Sequence, residues 1–352
     1  MRIGAGLDGR LGLRFAELRQ AGQEAARLGF ESLWTPAGGV PDAFHVCSAW
    51  AQDSPVRTGI SVVPAARMWG PLALAIQAAT VGEISGGRFI LGIGTGGYGP
   101  GFWASVGLPD RPIAVMRDYL TILRGLLAGE TVTYAGPALQ VQNASLGAPG
   151  LPRVPVHLGA LGPQMVRLAG ELADGALLNW ATPDRIARSR RLVAEGAARA
   201  GRDPGEVALT MYIRVCVDDD VDAARQALGS QVLGYAMARP GTPLSSGYRG
   251  LFAEMGFGDV LAGLELRQRG GEHIDALVAA APDEMLTAVG YFGPGRGAAE
   301  AYARLSQGLD ESVVRIVTAR PGLESVVTAM EALTPARIRA ALPGRPNPPG
   351  TP

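Results

Sequence analysis

The stretch GRFILGIGTGGYGPGFW, residues 87–103, spaces Gly92, Gly94 and Gly97 as G-x-G-x-x-G. In a turn between a first strand and a helix, that spacing cradles a dinucleotide pyrophosphate. Here it follows the fourth predicted strand, and Gly99, Pro100 and Gly101 break any helix starting there. Asp118 stands where a ribose-binding acid is sought, but within the helical pattern VMRDYLTIL. Two other uses stay open. One is an ordinary structural turn. The other is a side-chain-free floor at a strand's C-terminal end, where a flat cofactor lies against Gly94, Thr95 and Gly96.

A second stretch, LGALGPQM, ends a predicted strand and opens a helix with Pro163 in its first turn. The backbone N–H groups of Gly159, Ala160, Leu161 and Gly162, with the helix dipole, make an anion site; the alternative is a plain strand-to-helix turn. The point matters because all 32 basic residues are arginine. No lysine can bind phosphate or form a Schiff base. His157, the one histidine in a predicted strand, is either an acid–base group or a satisfied core residue. Asp8 and Asp42 are weaker acid–base candidates. His45, His157 and His273 are scattered, Cys47 and Cys216 lie far apart, and no metal site or disulfide framework is expected.

These residues hang on a regular alternation. Apolar runs at 2–7, 31–36, 57–65, 88–94, 154–160, 175–180, 207–217 and 312–319 read as eight strands, and amphipathic stretches between them as helices. Near-continuous apolar strands alternating with helices signal a parallel sheet covered by helices, and eight units favour a closed (β/α)8 TIM barrel, fold class α/β. One domain is expected over residues 1–335, with a hairpin excursion at about 130–150 and a partly helical insertion at about 239–294 between strands seven and eight. Residues 336–352, ending in LPGRPNPPGTP, read as a disordered tail. The formal net charge is zero, which argues against nucleic acid or an anionic membrane as partner. The N-terminus lacks a signal-peptide core and no apolar run reaches membrane-spanning length, so a cytoplasmic protein is expected.

The segments GFESLW, TGISVVPAARMWGP, ISGGRFILGIGTG, RDYLTILRGLLAGE and VPVHLGALGPQMVRLAGELADGALLNWATP together resemble the bacterial-luciferase-like superfamily. Within it they are similar to the branch using the deazaflavin coenzyme F420, and most to the methylenetetrahydromethanopterin reductases. The resemblance, over about residues 2–332, implies an F420-dependent oxidoreductase passing hydride between the deazaflavin and a small organic substrate at the barrel mouth, as a homodimer joined through helices near strands two to four. An FMN-dependent monooxygenase of the same fold is the alternative. It also implies a non-prolyl cis peptide at Ser61–Val62 behind the ring, and a cofactor tail held by the 159–162 segment with Asn179 and Thr182. Thr182 is equally a helix N-cap before Pro183. Trp34, Ala37 and Trp69 become candidate pocket walls. The likeness fails at three acids: Gly6 stands where the reductases carry a glutamate, Ala37 where they carry an aspartate, and Gly97 where the related sugar-phosphate dehydrogenases carry a glutamate.

Overall fold

The eight apolar runs pair edge to edge, all parallel, in chain order. The computed structural model describes residues 1–96, 101–239 and 241–342, with the side chains of Arg67 and Met68 left aside. The barrel strands are Arg2–Gly6, Ser32–Thr35, Arg57–Pro64, Phe89–Gly94, Val156–Gly159, Gly175–Asn179, Ala208–Val217 and Glu311–Val317. The first pairs with both the second and the eighth, so the sheet closes. This is the expected (β/α)8 barrel. Gly97 and residues 343–352 lie outside the described residues, but Pro335–Ala341 is a helix, which shortens the expected tail.

Four crossover helices, Pro71–Ile84, Pro112–Leu127, Pro163–Leu172 and Pro183–Arg199, begin with proline in the first turn, where its missing N–H costs nothing. The excursion is an antiparallel hairpin, Val132–Ala135 with Gln140–Ala144, tied down by Asp118. That carboxylate accepts from the Tyr134 hydroxyl at 2.7 Å and from the Ala138 and Leu139 N–H groups at 2.8 and 2.9 Å. Asp118 therefore serves the hairpin and no ribose. The insertion is helical, and its Phe252, Leu261 and Val278 form a second apolar core with Leu233 of the preceding helix Val221–Ala236. It also contains a strand the sequence reading did not anticipate, Gly290–Gly293. This strand pairs with the seventh barrel strand at residues 214–217, beyond 208–212 where the sixth strand pairs.

Inside the barrel, side chains alternate by the strand period of two. At the bottom, Glu311 accepts from Ser32 Oγ at 2.5 Å and Trp34 Nε1 at 2.8 Å. Burial opposes its ionisation, but the Ser32 and Trp34 hydrogen bonds with Arg57 and Arg2 hold its carboxyl below the usual range. A middle layer of Trp34, Ile90, Leu177, Tyr212 and Val313 plugs the barrel. Two residues beyond Leu177, Tyr212 and Val313 stand Asn179, Arg214 and Arg315, facing the C-terminal mouth.

Candidate active site at the barrel mouth

A cavity of about 700 Å³ opens at that mouth, where barrel folds carry their sites. Its two walls differ in kind. On the side of strands three to five the lining is Ser61, Val62, Gly94, Thr95, Gly96, Gly159, Ala160 and Leu161. The Ser61–Val62 peptide is cis, and the register with the fourth strand shifts between Ile60 and Val63. Val62 stands up as a ridge. A Cβ on Gly94 would lie 2.9 Å from Val62 Cγ2, and one on Gly159 3.2 Å from Val62 Cγ1. Gly96 has φ +65°, and a Cβ there would meet Pro64 at 2.1 Å. These positions need glycine because the third strand bulges into their space, and the result is a wall of bare backbone. Gly92 answers to packing alone: its Cβ would lie 2.1 Å from the Ile60 carbonyl oxygen. Among the described residues the next helix is the single turn Phe102–Ser105, eight residues beyond the strand.

The wall of strands six to eight is basic and aromatic. Arg214, 4% exposed, lies flat on Trp180 with its guanidinium carbon 3.7 Å from the ring centroid, and donates from Nη1 to Asn179 Oδ1 at 2.7 Å. Burial lowers its pKa to about 10. Asn179 donates in turn to the Tyr248 hydroxyl at 2.9 Å. Arg315 is ion-paired with Asp8 and donates to the Gly6 carbonyl at 3.2 Å. Arg10 also reaches Asp8, at 3.4 Å. Tyr235 packs across the ring of Tyr248 and beside Trp180. Burial opposes ionisation of its phenol, but Arg214, Arg10 and Arg315 outweigh that and lower its pKa.

Of the residues the sequence singled out, Ser61, Val62, Gly94, Thr95, Gly96, Gly159, Ala160, Leu161, Asn179 and Ala37 line this cavity. Gly162 and Thr182 do not; they are the N-caps of the two following helices, and Thr182 Oγ1 accepts from the Arg185 N–H at 3.4 Å. Arg185 itself is committed to the Leu161 carbonyl and Glu254.

Trp34 is no cavity wall. It is fully buried one layer below, its N–H spent on Ser32 and Glu311. Trp69 is carried outward by the short helix Ala65–Met68, packs edge-on to Phe44, and accepts at its carbonyl from Tyr119. His157 sits deep in the barrel against Gly175, where burial lowers its pKa to about 4 and keeps it neutral. Asp42 caps the helix Ala43–Asp53 and holds His45 at 2.9 Å. Asp8 lies behind the arginines, bound to two of them. None of these three acid–base candidates lines the cavity. Among the described residues no cluster of three metal-ligating side chains occurs.

The sequence reading missed Arg10, Arg214 and Arg315. The signal was present: MYIRVCV and SVVRIV each set one arginine inside an otherwise apolar buried strand.

Fold and cavity together define a (β/α)8-barrel protein with its site among the C-terminal strand ends. The pattern of the luciferase-like monooxygenase family matches residues 2–311, and the chain belongs to that family. A putative coenzyme F420-dependent oxidoreductase of Mycobacterium tuberculosis is 30% identical over 77% of this chain and 81% of its own length. A 5,10-methylenetetrahydromethanopterin reductase of Methanolobus tindarius is 37% identical over 163 residues, 45% of this chain and 48% of that protein. The chain thus spans about half the length of the reductases it matches. Among solved structures, the coenzyme F420-dependent tetrahydromethanopterin reductase of Methanopyrus kandleri superposes with a TM-score of 0.76 at 22% identity, over 95% of this chain and 99% of that one. That likeness establishes the fold.

Proposed function

We propose that this protein is an oxidoreductase that binds coenzyme F420 with its planar ring against the glycine wall and passes hydride between it and a small organic substrate. The observation that carries the reading is the bare backbone of Gly94, Gly96 and Gly159 around the Val62 ridge, where three positions of the wall lack a side chain and leave room for a flat heterocycle. The F420-dependent names of several relatives favour the deazaflavin. FMN is the alternative, favoured by the monooxygenase description of the family.

When bound, the cofactor supplies the hydride chemistry. The protein positions and shields. The Ala160 N–H is taken by the Leu177 carbonyl at 3.0 Å, so an anionic tail would be held, without lysine, by the backbone N–H groups at the N-terminus of the helix Pro163–Leu172 beyond it. Asn179, held by Arg214 and Tyr248, presents a fixed amide beside that tail. The insertion, through Ser246, Gly247 and Tyr248, covers the mouth and limits water. We further infer a homodimer through the helix Pro71–Ile84, whose Leu72, Ile76 and Ile84 leave a half-exposed apolar stripe at spacings of four and eight.

Equilibrium titration of the pure protein with F420 and with FMN tests the cofactor reading. F420 should bind at least tenfold more tightly and be reduced or oxidised with a substrate partner. Tighter FMN binding, or binding of neither, contradicts it.

A further inference from the structure

The wall opposite the glycines has chemistry that positioning a ring does not use. Three of its arginines lie against carboxylates. Arg249 is paired with Glu265 at 2.7 Å, and Arg315 and Arg10 share Asp8. Arg214 differs: among the described residues no carboxylate pairs with it. Its position is nonetheless fixed, by the Asn179 oxygen on one nitrogen and the Trp180 ring beneath its plane. Two residues back on the same strand, and on the same face, stands Tyr212. It is 8% exposed and lines the cavity, and its hydroxyl has no hydrogen-bond partner among the described residues. A buried cation and a buried phenol, both without their natural partners, are costly unless something else satisfies them. The first strand, beyond the eighth, adds no acid: Gly6 leaves its space to Arg315, whose Cδ would lie 3.1 Å from a Cβ there.

We propose that Arg214 and Tyr212 form an anion-recognition corner that takes the carboxylate of the substrate, so that the small molecule handled at this mouth is an organic acid. A planar guanidinium and a phenol O–H are matched donors for the two oxygens of a carboxylate. Within the corner itself Arg214 carries one charge, which a carboxylate matches; Arg10 and Arg315, sharing the single Asp8, leave a second positive charge nearby. The Tyr235 ring, which lines the cavity, suits the apolar body of such an acid. The corner faces the glycine wall across the cavity, so an acid anchored there lies over the exposed face of the ring. The proposal rests on the assignment of the glycine wall to the cofactor.

Calorimetric titration of the full chain, with and without F420, tests it. The probes are butanoate and benzoate, their neutral amides butanamide and benzamide, and inorganic phosphate. At least one acid should bind tenfold or more tightly than its amide and more tightly than phosphate. Tyr212→Phe, which removes only a hydroxyl without a partner, should weaken that acid at least fivefold while leaving the unfolding midpoint unchanged or higher. Arg214→Lys should weaken it further. Tyr212→Phe, which touches no residue assigned to the cofactor, should keep F420 affinity within twofold. Equal binding of acid and amide, no acid binding, phosphate binding more tightly than any acid, or loss of F420 along with the acid in Tyr212→Phe would each overturn the proposal. If the wild type discriminates acid from amide yet takes up no F420, the cofactor reading fails and the anion corner stands.

Discussion

At the level of single residues, neighbouring glycines of one strand do different jobs. Gly92 gives its space to the Ile60 carbonyl, a backbone atom that cannot yield. Gly92→Ala should therefore cost stability, about 1–3 kcal/mol or more in denaturant unfolding. Gly94 faces a side chain that can shift and borders the cavity. Gly94→Ala should cost less stability and lower F420 affinity at least tenfold in a binding titration. His157 carries a separate expectation. Its pKa is held down to about 4 by burial, against about 6.5 in the unfolded chain. Between those values the unfolded state takes up a proton that the folded state refuses, so stability falls as pH drops through that window, by at most about 3 kcal/mol, and the loss levels off below it. His157→Gln should flatten this part of the pH profile of the urea midpoint and leave F420 affinity at pH 7 unchanged. The glycine wall was legible because glycine is a visible residue at a strand end. The depth of Trp34 and His157 was not: a period of two says that a side chain points inward, but not how far down the barrel it sits.

At the level of elements, the two helices that open beside the candidate tail site cross closely. A Cβ on Gly196 would lie 2.0 Å from the Arg167 carbonyl oxygen, and one on Gly170 2.2 Å from that of Val193. Gly196→Ala should force apart the helices Pro163–Leu172 and Pro183–Arg199, lowering stability by about 1–3 kcal/mol and loosening F420 together with its N-terminal segment, read by thermal unfolding and titration. All eight barrel strands were legible because each is a nearly unbroken apolar run. Gly290–Gly293 was not, since four residues bounded by glycine carry no period. The arginine wall was overlooked for another reason. Attention to the missing lysines pointed to backbone amides as the anion binders, while a charged residue inside a buried strand was the stronger sign. Asp8 and Asp42 read as acids near the mouth, but both are consumed locally, one by Arg315 and Arg10 and one as a helix cap.

At the level of the molecule, the closed barrel sets glycines and arginines on opposite sides of one mouth, and the insertion supplies the third side. The exposed Leu72, Ile76 and Ile84 stripe lies on the outer layer, clear of that mouth. Ile76→Arg should shift a homodimer toward monomer in light scattering, with F420 affinity at each mouth retained. No helix among the described residues is long and apolar enough to cross a membrane. The division of the mouth into a ring side and an anion side is what the whole account depends on. A crystal structure of the protein with F420 bound tests it most directly. The tricyclic ring should lie against Val62, Gly94 and Gly159, leaving the Arg214 and Tyr212 groups facing its open side. A ring stacked instead on Tyr235 and Arg214, with the glycine wall bare, would contradict it.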